Sequence, residues 1–190
     1  MNILAFETTD RIAGVALLIG QELFSVKIDD SKRHAETVLC AAEKLLHEHE
    51  LELCCIDAFA VDVGPGSFTG VRIGVCTANA LGLALNKPVI AVNALEAICY
   101  GKEHPVCAII DAKNGNGYAA FYSDGKTVIE PCACVNDELA ARLPIGTEIV
   151  TNAMPSAEAV ALIASCRKGE KQASPMYLRP SQAERLHPEL

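Results

Sequence analysis

The sequence has no tryptophan, and aromatic residues make up only 5% of it. Stacking platforms for nucleic-acid bases are therefore scarce. Basic side chains are also in short supply, with 16 Lys and Arg against 24 Asp and Glu, a formal charge of −8. Such a chain does not wrap a phosphate backbone by itself, because that needs clustered cations. No Cys-x-x-Cys pair occurs; Cys132-Ala-Cys134 comes nearest and has no second half at ligand spacing, which excludes the common zinc frameworks. The nine cysteines are odd in number and sit mainly among apolar residues, as at Cys40, Cys54, Cys55, Cys76, Cys99 and Cys107. They read as reduced thiols in a cytosolic setting. The least polar run, Val71 to Asn86, is shorter than the roughly 20 residues a bilayer needs. Met1 leads straight into Asn-Ile-Leu-Ala-Phe-Glu with no basic stretch, unlike a secretory signal. A soluble, cytoplasmic protein without membrane contact is expected.

What is present is a well-patterned globular chain: 190 residues, 51% apolar and 21% charged. Asn2 to Glu7, Ile12 to Ile19 and Glu22 to Ile28 read as three strands of a β-meander, separated by Asp10-Arg11 and Gly20-Gln21. Apolar spacing from His34 to His49 predicts an amphipathic helix with Ser31 as its cap. A buried strand at Ile56 to Val63 ends at Gly64-Pro65-Gly66. It is followed by a helix over Thr69 to Leu85, a strand at Pro88 to Val92 and a short helix over Asn93 to Tyr100. The pattern then restarts. Strands are expected at Val106 to Ala112, Gly117 to Tyr122 and Thr127 to Glu130, then at Glu148 to Thr151. Helices are expected near Asn136 to Arg142 and Ser156 to Arg167, and the polar tail from Gly169 is expected to lie along the surface. Both halves repeat a meander followed by αβ elements, an α/β duplication divided into residues 1–103 and 104–190.

The segment Gly64-Pro-Gly-Ser-Phe-Thr-Gly-Val-Arg-Ile-Gly74 fits none of the familiar glycine motifs. Gly70 comes four residues after Gly66 rather than three, and Val71 stands where a P-loop has lysine. Pro65 occupies the glycine position of a nucleophile elbow. Two readings stay open: a tight strand-to-helix turn without a ligand, or a loop whose helix N–H groups, together with Thr8, Thr9, Gly64, Gly66, Ser67 and Thr69, receive an anion or nucleotide. The helix after this loop has no charge between Arg72 and Lys87, and Gly74, Ala78 and Gly82 lie four apart. That small-residue ridge is expected to let another helix approach, which makes the face a partner interface.

Several stretches occur together in order: Ile3 to Thr9, Arg33-His34-Ala35-Glu36, Val63 to Gly74, Val92-Asn-Ala-Leu-Glu96, Ile110-Asp-Ala112 and Tyr177-Leu-Arg179. With them the chain resembles the TsaB (YeaZ) family of bacterial tRNA threonylcarbamoyladenosine biosynthesis proteins, related to the glycoprotease-like M22 superfamily. The resemblance implies an ASKHA fold, the actin, sugar kinase and Hsp70 architecture, with two related lobes and a short second one. It implies a non-catalytic subunit that forms a heterodimer with a TsaD-type enzyme, through helices whose interface here would use His34, Val38, Leu45, Gly74, Ala78, Leu81 and Gly82. That enzyme transfers threonylcarbamoyl to N6 of adenosine 37 in ANN-decoding tRNAs. A TsaE-type ATPase joins the complex, tRNA is met only through the complex, and the free chain can form a homodimer. No cofactor is expected in this chain; ATP or ADP and a metal ion belong to the partners. Ala94 and Ile98 stand where the related catalytic proteins carry metal-binding histidines. Glu7 replaces an aspartate that helps hold Mg-nucleotide in ASKHA kinases.

Two other classes compete. An M22-type hydrolase needs a nucleophile–base pair or a metal, but His34 and Glu36 at i, i+2 on a helix do not face each other, and His47 and His49 lack a matching partner. A small kinase-like enzyme would use Glu7, Asp111 and the loop from Gly64 to Gly70, but it lacks a basic γ-phosphate ligand nearby.

Overall fold

A computed structural model describes residues 1–29, 34–102, 105–112, 115–124, 126–135, 139, 142–151 and 153–179, with only the backbone of His34 and Ala35. The Ser31 cap, most of the helix expected over 136–142 and the division at 103/104 lie outside the described residues.

Continuous apolar runs, buried on both faces in β1, β2 and β4, build two sheets with one plan. In the first, β1 (Asn2–Glu7), β2 (Ala13–Ile19) and β3 (Glu22–Ile28) form an antiparallel meander, and β4 (Ala58–Asp62) and β5 (Val89–Val92) add in parallel, in the order β3-β2-β1-β4-β5. In the second, β6 (Val106–Asp111), β7 (Asn116–Ser123) and β8 (Lys126–Val135) repeat the meander, and β9 (Glu148–Thr151) pairs in parallel with β6. This is the duplicated α/β plan read from the sequence.

Among the described residues four α-helices of at least six residues sit between and around the sheets. α1 (His34–Glu48) and α2 (Phe68–Leu85) cover one face of the first sheet, over Leu4, Phe6, Val15, Leu17, Phe59 and Val61. The opposite face is lined with smaller residues, among them Ala5, Ala16, Ala58 and Ala60. These admit α4 (Ala157–Ser165), whose own alanines pack on them. α3 (Ala94–Cys99) packs instead on the second sheet through Leu95, Ile98 and Cys99. The chain thus trades helices: the one after β5 serves the second sheet, and the one after β9 serves the first.

The tail is more engaged than a surface polar segment. Glu170 bridges to Val89 at the open edge of β5. Asn79 of α2 clamps Ala173 twice, donating to its carbonyl at 2.9 Å and accepting from its N–H at 2.8 Å. Further on, the Met176 N–H donates to the Val63 carbonyl at 2.7 Å.

The ridge of α2 runs opposite to expectation. Gly74, Ala78 and Gly82 face the sheet and the end of β1, with Ala78 wholly buried. A Cβ on Gly82 would lie 2.6 Å from Val89, and one on Gly74 2.6 Å from the Thr8 hydroxyl. Small residues here let a helix settle onto strand and turn backbone rather than onto a second helix. Val38 and Leu45 are likewise core residues.

Candidate functional site

The two lobes enclose a cleft of about 770 Å3. One wall is the β1–β2 turn (Thr9, Asp10, Arg11) with the loop from Pro65 to Gly70; the other carries Ile110, Asp111, Ala112 and Tyr118. Ala153, Met154 and Pro155 close it.

Local chemistry explains the first wall. Ser67 caps α2, its Oγ accepting from the Gly70 N–H at 3.3 Å. The Thr8 hydroxyl donates to the Gly70 carbonyl at 2.7 Å, and the Ser67 N–H donates to the Thr9 carbonyl at 2.7 Å. A Cβ on Gly70 would come within 1.9 Å of the Thr8 carbonyl oxygen. The glycine at this position therefore serves contact between helix and turn. Ser67 and Thr69 are exposed on the cleft wall and Thr9, largely buried, also touches the cleft, whereas Thr8 and Gly64 are buried behind it. The sequence-predicted loop is thus brought together in part: its polar face is Ser67 and Thr69, and Thr8 has turned inward.

Behind Thr9 lie two residues that sequence reasoning did not join. Glu7 ends β1 and Asp62 ends β4, buried to 1% and 0% exposure. The parallel register Phe6↔Val61 sets them side by side. The Thr9 hydroxyl reaches Glu7 Oε1 at 2.8 Å and Asp62 Oδ2 at 3.1 Å. The Thr9 N–H donates to Glu7 at 2.6 Å and the Gly64 N–H to Asp62 at 2.8 Å. Burial pushes both carboxyls up, Glu7 to about 8 with the neighbouring Asp62 adding to it, and Asp62 to about 7. Glu7 is spent inside the core and does not line the cleft. Among the described residues, no group of three or more His, Cys, Asp or Glu is placed to hold a metal ion. Ala94 and Ile98 are buried.

The tail completes the cleft rim. Arg72 of α2 stacks on Phe68 at 3.9 Å from the ring centroid, and its Nε donates to the Tyr177 hydroxyl at 2.9 Å. Arg179 donates to Asn116 at 3.0 Å and lies over the Tyr118 ring, joining the tail to the second lobe. The signature Tyr177-Leu-Arg179 is therefore a tie across the cleft.

The predicted interface residues separate. Val38, Leu45, Gly74, Ala78 and Gly82 are buried within this chain, and the side chain of His34 lies outside the described residues. Leu81 is half-buried and lines an apolar groove of about 400 Å3 with Leu39, Ala42, Leu46, Leu51 and Leu53. α2 exposes Leu83 (77%) and Phe68 (42%) with Cys76, Ala80 and Ala84, whereas α1 exposes Leu39 (47%) and Cys40 among the charged Glu36, Glu43, Lys44 and Glu48. Sequence periodicity identified the helices but assigned their faces the wrong way round. Among the described residues α2 is the one helix long and apolar enough to cross a membrane by length and composition, at mean hydropathy 1.4 with 33% of its residues buried.

Comparison with known proteins places this arrangement. The family described as TsaD, tRNA N6-adenosine threonylcarbamoyltransferase, matches residues 28–170. A TsaB protein of Bacillus subtilis, a tRNA threonylcarbamoyladenosine biosynthesis protein, is 32% identical over 134 residues, covering 68% of this chain and 58% of that protein. The matches span 34% to 58% of the length of the first curated relatives. YeaZ from Pseudomonas aeruginosa superposes with a TM-score of 0.77 at 27% identity, covering 93% of this chain and 99% of that one. A second crystal structure, an uncharacterized protein described as similar to peptidase YEAZ from the same organism, gives 0.81 at 26% identity, covering 94% and 99%. The two-lobed, actin-like architecture is thus that of YeaZ.

Proposed function

The chain belongs to the TsaD family of tRNA N6-adenosine threonylcarbamoyltransferases, and from that membership we propose that it serves threonylcarbamoyladenosine formation on tRNA as a supporting subunit rather than as the transferase. Its partner would be a TsaD-type protein that carries the metal and nucleotide and transfers threonylcarbamoyl to N6 of adenosine 37. A TsaE-type ATPase would join the complex, and tRNA would be met through it.

The observation that carries this reading is the outer face of α2. A helix covering a sheet ordinarily shows water a charged stripe. α2 has no charge between Arg72 and Lys87, and it exposes Leu83 to 77%. The adjoining groove between Leu39 and Leu81 is apolar, with Glu43, His47 and Glu52 at its rim. An apolar centre ringed by polar groups is the composition of a protein–protein interface. Two further facts support a non-catalytic role: the apolar, buried Ala94 and Ile98 at the positions of the catalytic relatives' histidines, and Glu7 held away from the cleft.

The test is light-scattering chromatography of the full chain mixed with the TsaD-type protein of the same organism. A 1:1 heterodimer is expected. Leu83→Glu or Leu39→Glu should weaken it at least about tenfold while leaving the fold intact, because exposed substitutions usually change stability by about 0.5 kcal/mol or less. A chain that stays monomeric beside the partner, or that shows zinc-dependent peptidase activity alone, overturns the reading.

A further inference from the structure

We propose that Glu7, Thr9 and Asp62 form a proton-sharing lock beneath the glycine loop: the two carboxyls hold one proton between them, and its loss loosens the loop that walls the cleft. The lock belongs to this chain alone and operates whether or not a partner binds.

The count of hydrogens makes the case. The Thr9 hydroxyl contacts Glu7 Oε1 at 2.8 Å and Asp62 Oδ2 at 3.1 Å, yet it has a single hydrogen to donate. If both carboxyls were ionised, one contact would set two acceptors against each other. A proton on one carboxyl resolves this as a chain in which a carboxyl O–H donates to Thr9 Oγ, and Thr9 Oγ–H donates to the other carboxylate. Backbone donors serve the pair as well, since Glu7 also accepts from the Thr9 N–H and Asp62 from the Gly64 N–H.

Among the described residues, no surrounding element supplies a counter-charge. β2 and β5 have no ionisable side chain. Arg72 of α2 is engaged by Phe68 and Tyr177, and Glu96 of α3 by Arg167. In the β1–β2 turn the neighbouring Asp10 raises both groups further, while Arg11 is exposed on the cleft wall. Two buried anions without a cation are strongly disfavoured, so the pair keeps a proton at neutral pH. Burial raises both groups above the ordinary carboxylate range, and because the two titrate as a coupled pair the last shared proton leaves near the higher of them, Glu7 at about 8.

The lock reaches the loop through Thr9. The same residue that bridges the carboxyls accepts the Ser67 N–H, and Asp62 holds the Gly64 N–H, so both ends of the loop's first turn hang on the pair. Release is a plain acid–base step in which hydroxide takes the carboxyl proton and becomes water. The hydroxyl chain then loses a donor, and the repelling carboxylates push on Thr9.

A carbonyl-13C titration of the full chain tests the proton directly. One carboxyl resonance should titrate near pH 8 and vanish in Glu7→Gln. Amide exchange at Gly64 and Ser67, corrected for the intrinsic pH dependence of exchange, should lose about tenfold in protection from pH 6.5 to 9, the equivalent of one pK unit. That loss should persist in Thr9→Ser and disappear in Asp62→Asn. Carboxyl resonances that all finish below pH 6 overturn the proposal, as does an undiminished loss in Asp62→Asn. If either carboxyl variant fails to fold, the wild-type titration and Thr9→Ser still decide it.

Discussion

β1 and β6 are the same strand of the same plan, and each ends in an acid: Glu7 in the first lobe, Asp111 in the second. Their surroundings differ completely. Glu7 is sealed at 1% exposure under α2 and the glycine loop, whereas Asp111 is exposed on the cleft wall. The cause is the path the chain takes on leaving the neighbouring parallel strand. After β4 the chain turns through Gly64–Gly70 and lays α2 over the end of β1. After β9 it leaves for the first sheet as α4, and among the described residues the end of β6 stays open at Asp111. An acid at the end of this strand is thus a core element or a cleft element according to which sheet claims the next helix.

The largest effect should come from the close contact that seals the first lobe. Gly70→Ala would drive a methyl to 1.9 Å from the Thr8 carbonyl, and a loss of about 3 kcal/mol or more is expected from overpacking. In the second lobe Gly115 has a φ of +73° and nothing within 4 Å of its would-be methyl, so Gly115→Ala should cost only about 1–2 kcal/mol of backbone strain. Urea unfolding of the two variants measures the contrast; equal losses would break it.

Next in size is the dependence on pH. Glu7 rises from 4.5 to about 8 on folding and Asp62 from 3.8 to about 7, so between those limits the folded chain holds more protons than the unfolded one. The stability from this pair is therefore full at low pH, declines as pH climbs from about 4 through 8, and is level above that. The urea midpoint of the wild type should fall across this window more than that of Glu7→Gln. Parallel curves would mean that the first-lobe acid titrates like an exposed one.

The smallest effect concerns the tie between lobes. Tyr177→Phe removes the acceptor for Arg72 Nε but keeps the ring against Phe68, so thermal unfolding should show a loss of about 1 kcal/mol. A loss several times larger would make the tail, rather than the sheets, what holds the cleft's shape.

Much of the fold is legible in the sequence. The two meanders and the helices announce themselves by period, and their boundaries fall within a residue or two of those predicted at β1, β3, α2 and α4. Three features resist. The four-residue spacing of Gly74, Ala78 and Gly82 is the same whether a helix meets a helix or a strand end, so periodicity alone does not orient α2. Glu7 and Asp62 are far apart in the chain, and only the parallel register brings them together. The sequence pattern ends β8 at Glu130, just before Pro131. The strand continues to Val135 because β8 lies at the edge of its sheet and its pairing with β7 shifts register near that proline, leaving the missing N–H without consequence.

The exchange of helices has a consequence in time. One face of β1 is covered by α4, which is made some 150 residues later. At about 5–20 residues per second of synthesis, the alanine-lined face of the first sheet waits roughly eight to thirty seconds for its cover. During that interval the nascent first half is a sheet with one finished side, and helpers that shield nascent chains would find their natural client there.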